Sequence, residues 1–128
     1  MKKKILIVVA NYYENIARSL LNSAINKIKD KYSVKVIYVP GAFEIPVTIS
    51  KNLNKFNGFI ALGCVIKGQT PHFDFISKAT TDALMTLSLT SKKPVGNGVI
   101  TCLNKKQALA RGKKGSEAAE AVLSVLSQ

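Results

Sequence analysis

The middle of the chain reads Phe59-Ile60-Ala61-Leu62-Gly63-Cys64-Val65-Ile66-Lys67-Gly68-Gln69-Thr70-Pro71-His72. Its first part, Phe59–Leu62, is apolar and predicts a buried strand, and apolar residues then recur at helical spacing from Phe73 to Leu87. We therefore expect Gly63–His72 to form a loop between the carboxyl end of a strand and the amino end of a helix. Free backbone N–H groups and the helix dipole favour an anion at such a position. Because His72 is the only histidine of the chain and stands at this junction, the segment predicts a site as well as a turn.

Strands and helices alternate along the rest of the chain. Apolar and β-branched runs predict strands at Ile5–Val9, Val34–Val39, Phe59–Leu62 and Val95–Thr101. Helical spacing predicts helices at about residues 16–28, 46–53, 73–87, 105–111 and 117–126. This order predicts an α/β fold, a three-layer α/β/α sandwich around a four-stranded parallel sheet of flavodoxin-like type. We expect a single domain, residues 1–128.

The last two helices carry more detailed signals. Asn104 and Gln107 stand at capping-box spacing at the start of the fourth helix, and Gly112 is predicted to end it. The fifth helix is apolar over much of its circumference. We therefore expect it to be either central or covered by another subunit.

The chain is strongly basic. Lys and Arg number 19 against 7 Asp and Glu, which gives a formal net charge of +12. Such a charge attracts anions, including nucleic acids. The lysines are scattered, however, and no basic stripe interleaved with aromatic residues accompanies them. We therefore expect a solvated basic surface and no nucleic acid as partner, with nucleic-acid binding as the less favoured alternative.

The cysteines and the hydropathy of the chain indicate its cellular compartment and its relation to membranes. Cys64 and Cys102 show no metal-ligand spacing and lie in no small disulfide-rich scaffold, so we expect reduced thiols, no metal and a cytoplasmic protein. The apolar run Ile5–Ala10 follows three lysines but lacks a small-residue cleavage site, and we interpret it as a strand, not as a signal peptide. No segment approaches the roughly 20 apolar residues of a membrane span, so we expect no membrane as partner.

Candidate site residues stand after the predicted strands, where open parallel sheets bind their ligands. Tyr12 and Phe43 are able to stack on a flat heterocycle, and Glu44 is able to accept hydrogen bonds from hydroxyl groups; the structural alternative is packing of both rings. Arg111 suits a phosphate or merely complements a helix end. The imidazole of His72 is able both to accept and to donate a proton, although a lone histidine is more often structural.

The glycine-containing loop excludes one class of enzyme. Gly63-x4-Gly68-Gln69-Thr70 has the outline of a P-loop, but Gln69 occupies the position of the phosphate-binding lysine. A nucleoside triphosphatase is therefore not expected. Considered alone, the loop fits a tight turn and a small-anion site equally well.

Taken together, several segments resemble the lumazine synthase family, from the first strand to the last helix. In order, they are Val39–Pro46, Ala61–Asp74, Pro94–Thr101, Gln107–Arg111 and Lys114–Ala119. The resemblance implies a transferase of riboflavin biosynthesis that condenses 5-amino-6-ribitylaminouracil with 3,4-dihydroxy-2-butanone 4-phosphate. The products are 6,7-dimethyl-8-ribityllumazine, phosphate and water, and neither a metal nor an organic cofactor is implied.

The resemblance also implies a role for each matching residue. His72 matches the proton-transfer residue of the family. The residues that match its phosphate-binding group are Gly68, Gln69, Thr70 and Arg111. The residues that match its contacts to the pyrimidine ring and the ribityl chain are Tyr12, Ala42, Phe43, Glu44, Cys64, Val65, Ile66, Asn97 and Lys114.

Family members form pentamers, and some build larger shells, so the resemblance implies a homopentamer acting on small-molecule substrates and leaves a shell open. Asn97 departs from the family pattern, because an aromatic residue often stands there and completes the site of a neighbouring subunit. The connection Gly112–Gly115 is shorter than usual, which leaves the place of Lys114 open. From the residues alone, a non-catalytic module that binds a flavin or a related heterocycle stays an alternative.

Overall fold

In the computed structural model, which describes residues 2–128, the predicted strands form one sheet. The strands are β1 (Lys4–Ala10), β2 (Ser33–Val39), β3 (Gly58–Ile66) and β4 (Val95–Cys102). Neighbouring strands are parallel, and their order is β2-β1-β3-β4. The helices are α1 (Glu14–Ile28), α2 (Ile45–Lys51), α3 (His72–Ser91), α4 (Lys105–Leu109) and α5 (Lys114–Leu126), with a 3₁₀ turn at Ala42–Glu44.

The helices cover both faces of the sheet, which confirms the predicted three-layer α/β fold. α1, α4 and α5 pack on one face, in a first core that includes Leu62 and Ile100 of the sheet. The 3₁₀ turn, α2 and α3 pack on the other face, in a second core that includes Phe59 and Ala61. A parallel sheet covered on both sides is the expected result of strands joined by helical crossovers.

β1 lies inside the sheet and contributes to both cores. Ile5, Ile7 and Val9 belong to the first core, whereas Leu6 and Val8 belong to the second, and all are fully buried. Successive side chains of a strand point to opposite faces. An uninterrupted apolar run of this kind therefore fits a strand that is covered on both sides.

β3 is longer than predicted. The sequence placed Gly63–His72 in a loop, but the strand continues to Ile66. Its β-branched end remains paired with β4, where Val65 lies beside Thr101, and this pairing extends the ladder. The loop is correspondingly short, and His72 begins α3.

α5 begins earlier than predicted, at Lys114 instead of Glu117. The reason is a hydroxyl group of α1 that no sequence pattern of α5 reveals. The Ser23 hydroxyl accepts a hydrogen bond from the Ser116 N–H at 2.9 Å and donates one to the Gly112 carbonyl at 2.7 Å. Ser23 thus satisfies the first turn of α5 as a cap from a different element.

Gly112 does not end α4, contrary to the sequence prediction; it lies in the connection between α4 and α5. α4 ends at Leu109, and Gly112 does not adopt the left-handed conformation of a helix-ending glycine. A Cβ at Gly112 would clash with Ser19 of α1, so this glycine allows a close approach of two segments. The predicted cap of α4 is present, since Asn104 Oδ1 accepts a hydrogen bond from the Gln107 N–H at 2.9 Å.

The two long helices on opposite faces differ in how well the chain covers them. In α5, Ala118, Ala119 and Val122 are buried in the first core, so its apolar face is central. In α3, which spans 20 residues, only Thr80 and Leu84 are buried. No helix within residues 2–128 combines the length and the apolar character that crossing a membrane requires.

Gly115→Ala tests the close approach of α5 to α1. A Cβ at Gly115 would clash with the Leu20 carbonyl oxygen and lie 2.5 Å from the Ser23 hydroxyl. Alanine normally stabilises a helix by about 1 kcal/mol relative to glycine, but here we expect the free energy of unfolding to fall by about 1–3 kcal/mol because of the clash. Urea denaturation measures the change. Gly68→Ala is the matched control, since a Cβ there has no atom within 4 Å, and equal losses in both variants would contradict the packing explanation.

Candidate functional site

A cavity of about 340 Å³ opens at the carboxyl ends of β1 and β3. It lies where the strand order reverses, because the loop after β1 leads to α1 on one face and the loop after β3 leads to α3 on the other. Loops that diverge in this way leave the crevice in which open parallel sheets bind ligands. The predicted site residues that line the cavity are Tyr12, Ala42, Phe43, Cys64, Val65, Ile66 and His72.

Two aromatic side chains form walls of the cavity. Tyr12 follows β1 and is 75% exposed, and Phe43 lies in the 3₁₀ turn after β2 and is 62% exposed. Phe43 is therefore not the buried residue that the structural alternative supposed. An apolar ring face exposed beside a cavity is available to stack on a flat ligand.

Glu44 stabilises the turn that carries Phe43. Its Oε1 accepts a hydrogen bond from the Gly41 N–H at 3.0 Å, and its carbonyl accepts one from the Thr48 hydroxyl at 2.9 Å. The side chain is half-buried and does not line the cavity. Within this chain, Glu44 thus holds the turn, and its second carboxylate oxygen remains available to a hydroxyl group.

The end of β3 offers backbone hydrogen-bonding groups to the cavity. β1 pairs with β3 only as far as Leu62, whereas β4 pairs with it as far as Ile66. After Leu62, β3 therefore has a neighbouring strand on one side only. Cys64, Val65 and Ile66 line the cavity there, and backbone N–H and C=O groups are strong partners for the polar edge of a heterocycle.

Cys64 is a neutral thiol at the cavity wall. Burial, followed by the charge and the hydrogen bond of Cys102 on the adjacent strand, raises the pKa of Cys64 to about 12. Both cysteines are free; Cys102 is buried and Cys64 half-buried. Among residues 2–128, no group of histidine, cysteine and acidic side chains is arranged to hold a metal ion.

The loop after β3 and Arg111 are both tied to the end of β4. The Lys67 N–H donates to the Cys102 carbonyl at 2.9 Å, and Arg111 Nη1 donates to the Thr101 carbonyl at 3.3 Å. The loop residues Gly68–Thr70 and the Arg111 side chain are exposed. An exposed guanidinium and an exposed loop are thus both attached to the end of β4, and the loop leads into the amino end of α3, where an anion is favoured.

His72 is the first residue of α3, and its exposed side chain lines the cavity. Its backbone N–H lies 3.4 Å from the Thr70 hydroxyl, a weak contact that links the helix start to the loop. An exposed imidazole beside a cavity differs from a structural histidine enclosed in a core. It is free to accept and to donate a proton.

Asn97 and Lys114 do not line the cavity of their own chain. Asn97 is exposed on the edge strand β4, where its Oδ1 accepts a hydrogen bond from the Val99 N–H at 3.0 Å. Lys114 begins α5 on the α1 face, and its Nζ lies 3.6 Å from a carboxylate oxygen of Glu117. Their roles at the substrate stay predictions that need a second copy of the chain.

Three residues line the cavity that the sequence did not single out, namely Tyr13, Gly41 and Ile76. Gly41 lies in the predicted loop after β2, and Ile76 lies one helical turn after His72, so both follow from the predicted elements. Tyr13 precedes α1 immediately, and its direction depends on where that helix begins. Nothing in the sequence pattern specifies that point.

Comparison with known proteins relates the chain to one family. A family model described as 6,7-dimethyl-8-ribityllumazine synthase matches residues 2–128. A protein of that name from Bartonella tribocorum is 41% identical over 137 residues, which cover 98% of this chain and 91% of the relative. Another from Methylobacterium radiotolerans is 42% identical over 131 residues, which cover 96% of this chain and 80% of the relative. One from Buchnera aphidicola is 38% identical over 137 residues, with 98% and 86% covered.

The raised pKa predicts that Cys64 is unreactive despite its place at the cavity. Because the thiolate is the reactive form, iodoacetamide at pH 8 should modify Cys64 far more slowly in the folded protein than in urea. The rate should rise until the pH approaches about 12, and peptide mapping by mass spectrometry measures it. Since the folded pKa exceeds the unfolded one, the shift stabilises the fold below about pH 8.5, and this contribution is lost as the pH rises.

Cys64→Ala is the control for this measurement, because it assigns any remaining modification to Cys102. A rate in the folded protein that already levels off near pH 9 would contradict the raised pKa.

Proposed function

The chain belongs to the 6,7-dimethyl-8-ribityllumazine synthase family, and on this premise we propose how its residues perform the reaction. It is a transferase of riboflavin biosynthesis that condenses 5-amino-6-ribitylaminouracil with 3,4-dihydroxy-2-butanone 4-phosphate. The products are 6,7-dimethyl-8-ribityllumazine, phosphate and water. The observation that carries the residue roles is the cavity at the strand ends, where aromatic walls, a free strand edge and an imidazole meet.

The pyrimidine binds against β3. Tyr12 stacks on the ring, and Phe43 contacts it from the other loop, which agrees with their exposure at the cavity. The unpaired backbone groups of Cys64, Val65 and Ile66 bind the polar edge of the ring. Ala42 is small and buried, so the floor of the cavity leaves room, and Glu44 accepts hydrogen bonds from the ribityl hydroxyls.

The butanone phosphate binds at the amino end of α3. Backbone groups of Gly68, Gln69 and Thr70 surround its phosphate, and the Arg111 guanidinium neutralises its charge. The ties of this loop and of Arg111 to adjacent carbonyls of β4 support the assignment. Both substrates are then held side by side, which supplies much of the rate enhancement of a condensation.

His72 moves protons during the condensation. The pyrimidine amine attacks the ketone, and loss of water gives an imine. Elimination of phosphate converts the neighbouring hydroxyl-bearing carbon into a new carbonyl group, and the ribityl-bearing amine attacks this carbonyl and closes the ring with loss of a second water. The imidazole of His72 accepts the proton of the attacking amine and donates it to a departing oxygen. The Cys64 thiol stays neutral because its pKa is raised to about 12, so it does not compete with the amine for the ketone.

A neighbouring copy completes the site. Asn97 is exposed on an edge strand, and Lys114 lies on the opposite face from the 3₁₀ turn and α3. Both are therefore free to reach the cavity of another subunit. The positions of Asn97 and Lys114 support the homopentamer, in which sites lie between adjacent subunits.

The two free thiols agree with a cytoplasmic location.

The outer face of α3 supports the same assembly. Five exposed residues recur there at alternating steps of three and four, namely Phe75, Lys78, Asp82, Met85 and Leu89. This is the spacing of a helix that packs lengthwise on another helix. Lys78 and Asp82 form an ion pair at 2.7 Å, so a charged layer separates the apolar ones. Such a layer fixes the register when the helices of several copies pack together.

A cofactor-free assay tests the reaction. Purified protein is mixed with the two substrates alone, and the absorbance and fluorescence of the lumazine are followed. We expect turnover well above the uncatalysed condensation. A background rate from folded protein that still binds the lumazine would favour the alternative, a module that binds the heterocycle without catalysis.

His72→Ala separates catalysis from binding. General acid–base assistance is typically worth about 100- to 10,000-fold, so we expect kcat to fall by about that factor. The affinity for the lumazine, titrated by its fluorescence, should change little because stacking and backbone contacts remain. Comparable losses of turnover and affinity would contradict proton transfer as the role of His72.

Met85→Glu tests whether the outer face of α3 packs against other copies of the chain. A carboxylate among apolar residues of packed helices loses its hydration without gaining a partner, so we expect the pentamer to dissociate and turnover to fall. Analytical ultracentrifugation measures the mass. Ser124→Glu, an exposed position on α5 at the other face of the sheet, is the control and should leave the mass unchanged. A monomeric unmodified protein, or an intact Met85→Glu pentamer, would contradict the assembly.

A further inference from the structure

Tyr13 separates two cavities at the carboxyl end of β1. On one side it lines the cavity of about 340 Å³ that contains His72. On the other it lines a cavity of about 240 Å³ between the start of α1 and α4, together with Lys105. A side chain in this position connects the cavity that contains His72 with the elements that surround the second cavity.

Tyr12 needs such support. It is 75% exposed and lies in a loop, so neither a core nor a helix restricts its side chain. A mobile ring loses rotamer freedom when it stacks on a ligand, which weakens binding, and a ring held in place beforehand avoids this loss. The Tyr13 ring meets the Tyr12 ring with centroids 4.9 Å apart and planes at 83°, the edge-to-face geometry that fixes one ring against another.

Tyr13 is itself well anchored. It is half-buried and packs against the first core. Its carbonyl accepts the first hydrogen bond of α1, from the Ala17 N–H at 2.9 Å. The Lys105 ammonium lies 5.7 Å from the centre of its ring, within the range of a cation–π contact. A continuous series of contacts thus leads from the core and α4 through Tyr13 to Tyr12.

We propose that Tyr13 is a positioning residue, which holds the Tyr12 ring in the orientation that stacks on the pyrimidine, and that Lys105 fixes Tyr13 from the other side. This inference rests on the proposed function, since it assumes that a flat heterocycle binds beside Tyr12. Tyr13 contributes its ring edge, and its hydroxyl has no part in the reaction. Burial, followed by the charges of Tyr12 and Cys64, raises the pKa of Tyr13, so the phenol stays neutral.

A double-mutant cycle tests whether Tyr13 acts through Tyr12. The dissociation constant for the lumazine product is titrated by fluorescence for the unmodified protein, Tyr13→Leu, Tyr12→Ala and the double variant. We expect Tyr13→Leu to raise this constant about two- to tenfold, the range of an aromatic pair, and to have no effect in the Tyr12→Ala background. Equal effects in both backgrounds would overturn the proposal, because Tyr13 would then contact the ligand directly.

Two conservative variants separate positioning from folding. Tyr13→Phe keeps the ring and should bind like the unmodified protein; a loss equal to that of Tyr13→Leu would overturn the proposal. Lys105→Met removes only an exposed charge and should weaken lumazine binding about twofold, again only where Tyr12 is present. This variant keeps the test valid if Tyr13→Leu proves unstable.

Steady-state kinetics give an independent readout. Stacking acts on the bound pyrimidine throughout the reaction, so Tyr13→Leu should raise the KM for the pyrimidine substrate and leave both kcat and the KM for the butanone phosphate unchanged. Tyr38→Leu, another exposed tyrosine, located on β2, is the matched control. Loss of kcat alone would overturn the proposal. Failure of the unmodified protein to bind the lumazine would instead refute the proposed function itself, and the two failures are thereby distinguished.

Discussion

The complete burial of β1 between two apolar layers is the constraint on which the rest of the molecule depends. A strand that supplies Ile5, Ile7 and Val9 to one core and Leu6 and Val8 to the other needs a neighbour on each side and helices on both faces. β2 and β3 therefore flank it, and the chain reverses its direction of winding between β1 and β3. The crevice at the strand ends follows from this reversal, so the requirements of the core determine where the site lies.

A difference in strand length then gives the crevice its chemistry. β1 pairs with β3 only as far as Leu62. β4 pairs with β3 as far as Ile66 and so keeps β3 extended beyond the end of β1. An extended strand without a neighbour usually invites aggregation through its free N–H and C=O groups. Here the free edge lies inside a cavity between two loops and faces a ligand. The same pairing with β4 positions the loop after β3 and, through Thr101, the Arg111 guanidinium.

The sequence revealed most where a residue's position depends on a strand end. Apolar runs located the strands, and parallel topology alone brings Tyr12, Phe43 and Cys64 to one edge of the sheet. Prediction from the sequence failed where contacts between distant elements determine the position of a residue or the start of a helix. The early start of α5 depends on the Ser23 hydroxyl of α1, and the place of Tyr13 depends on its packing against a neighbouring ring and an ammonium distant in sequence. No local pattern encodes such contacts, because each needs the packed partner in order to exist.

α3 links the chemistry to the assembly. Its first residue is His72, yet the chain buries only Thr80 and Leu84 of its 20 residues. Most helical stability in proteins comes from packing and little from intrinsic propensity, so a helix with so few buried side chains is weakly held by its own sheet. In the proposed pentamer the outer face of α3 packs against the helices of other copies, and this packing stabilises α3. The position of His72 then depends on how the helices of neighbouring copies pack, so activity depends on the assembled ring as well as on the single chain.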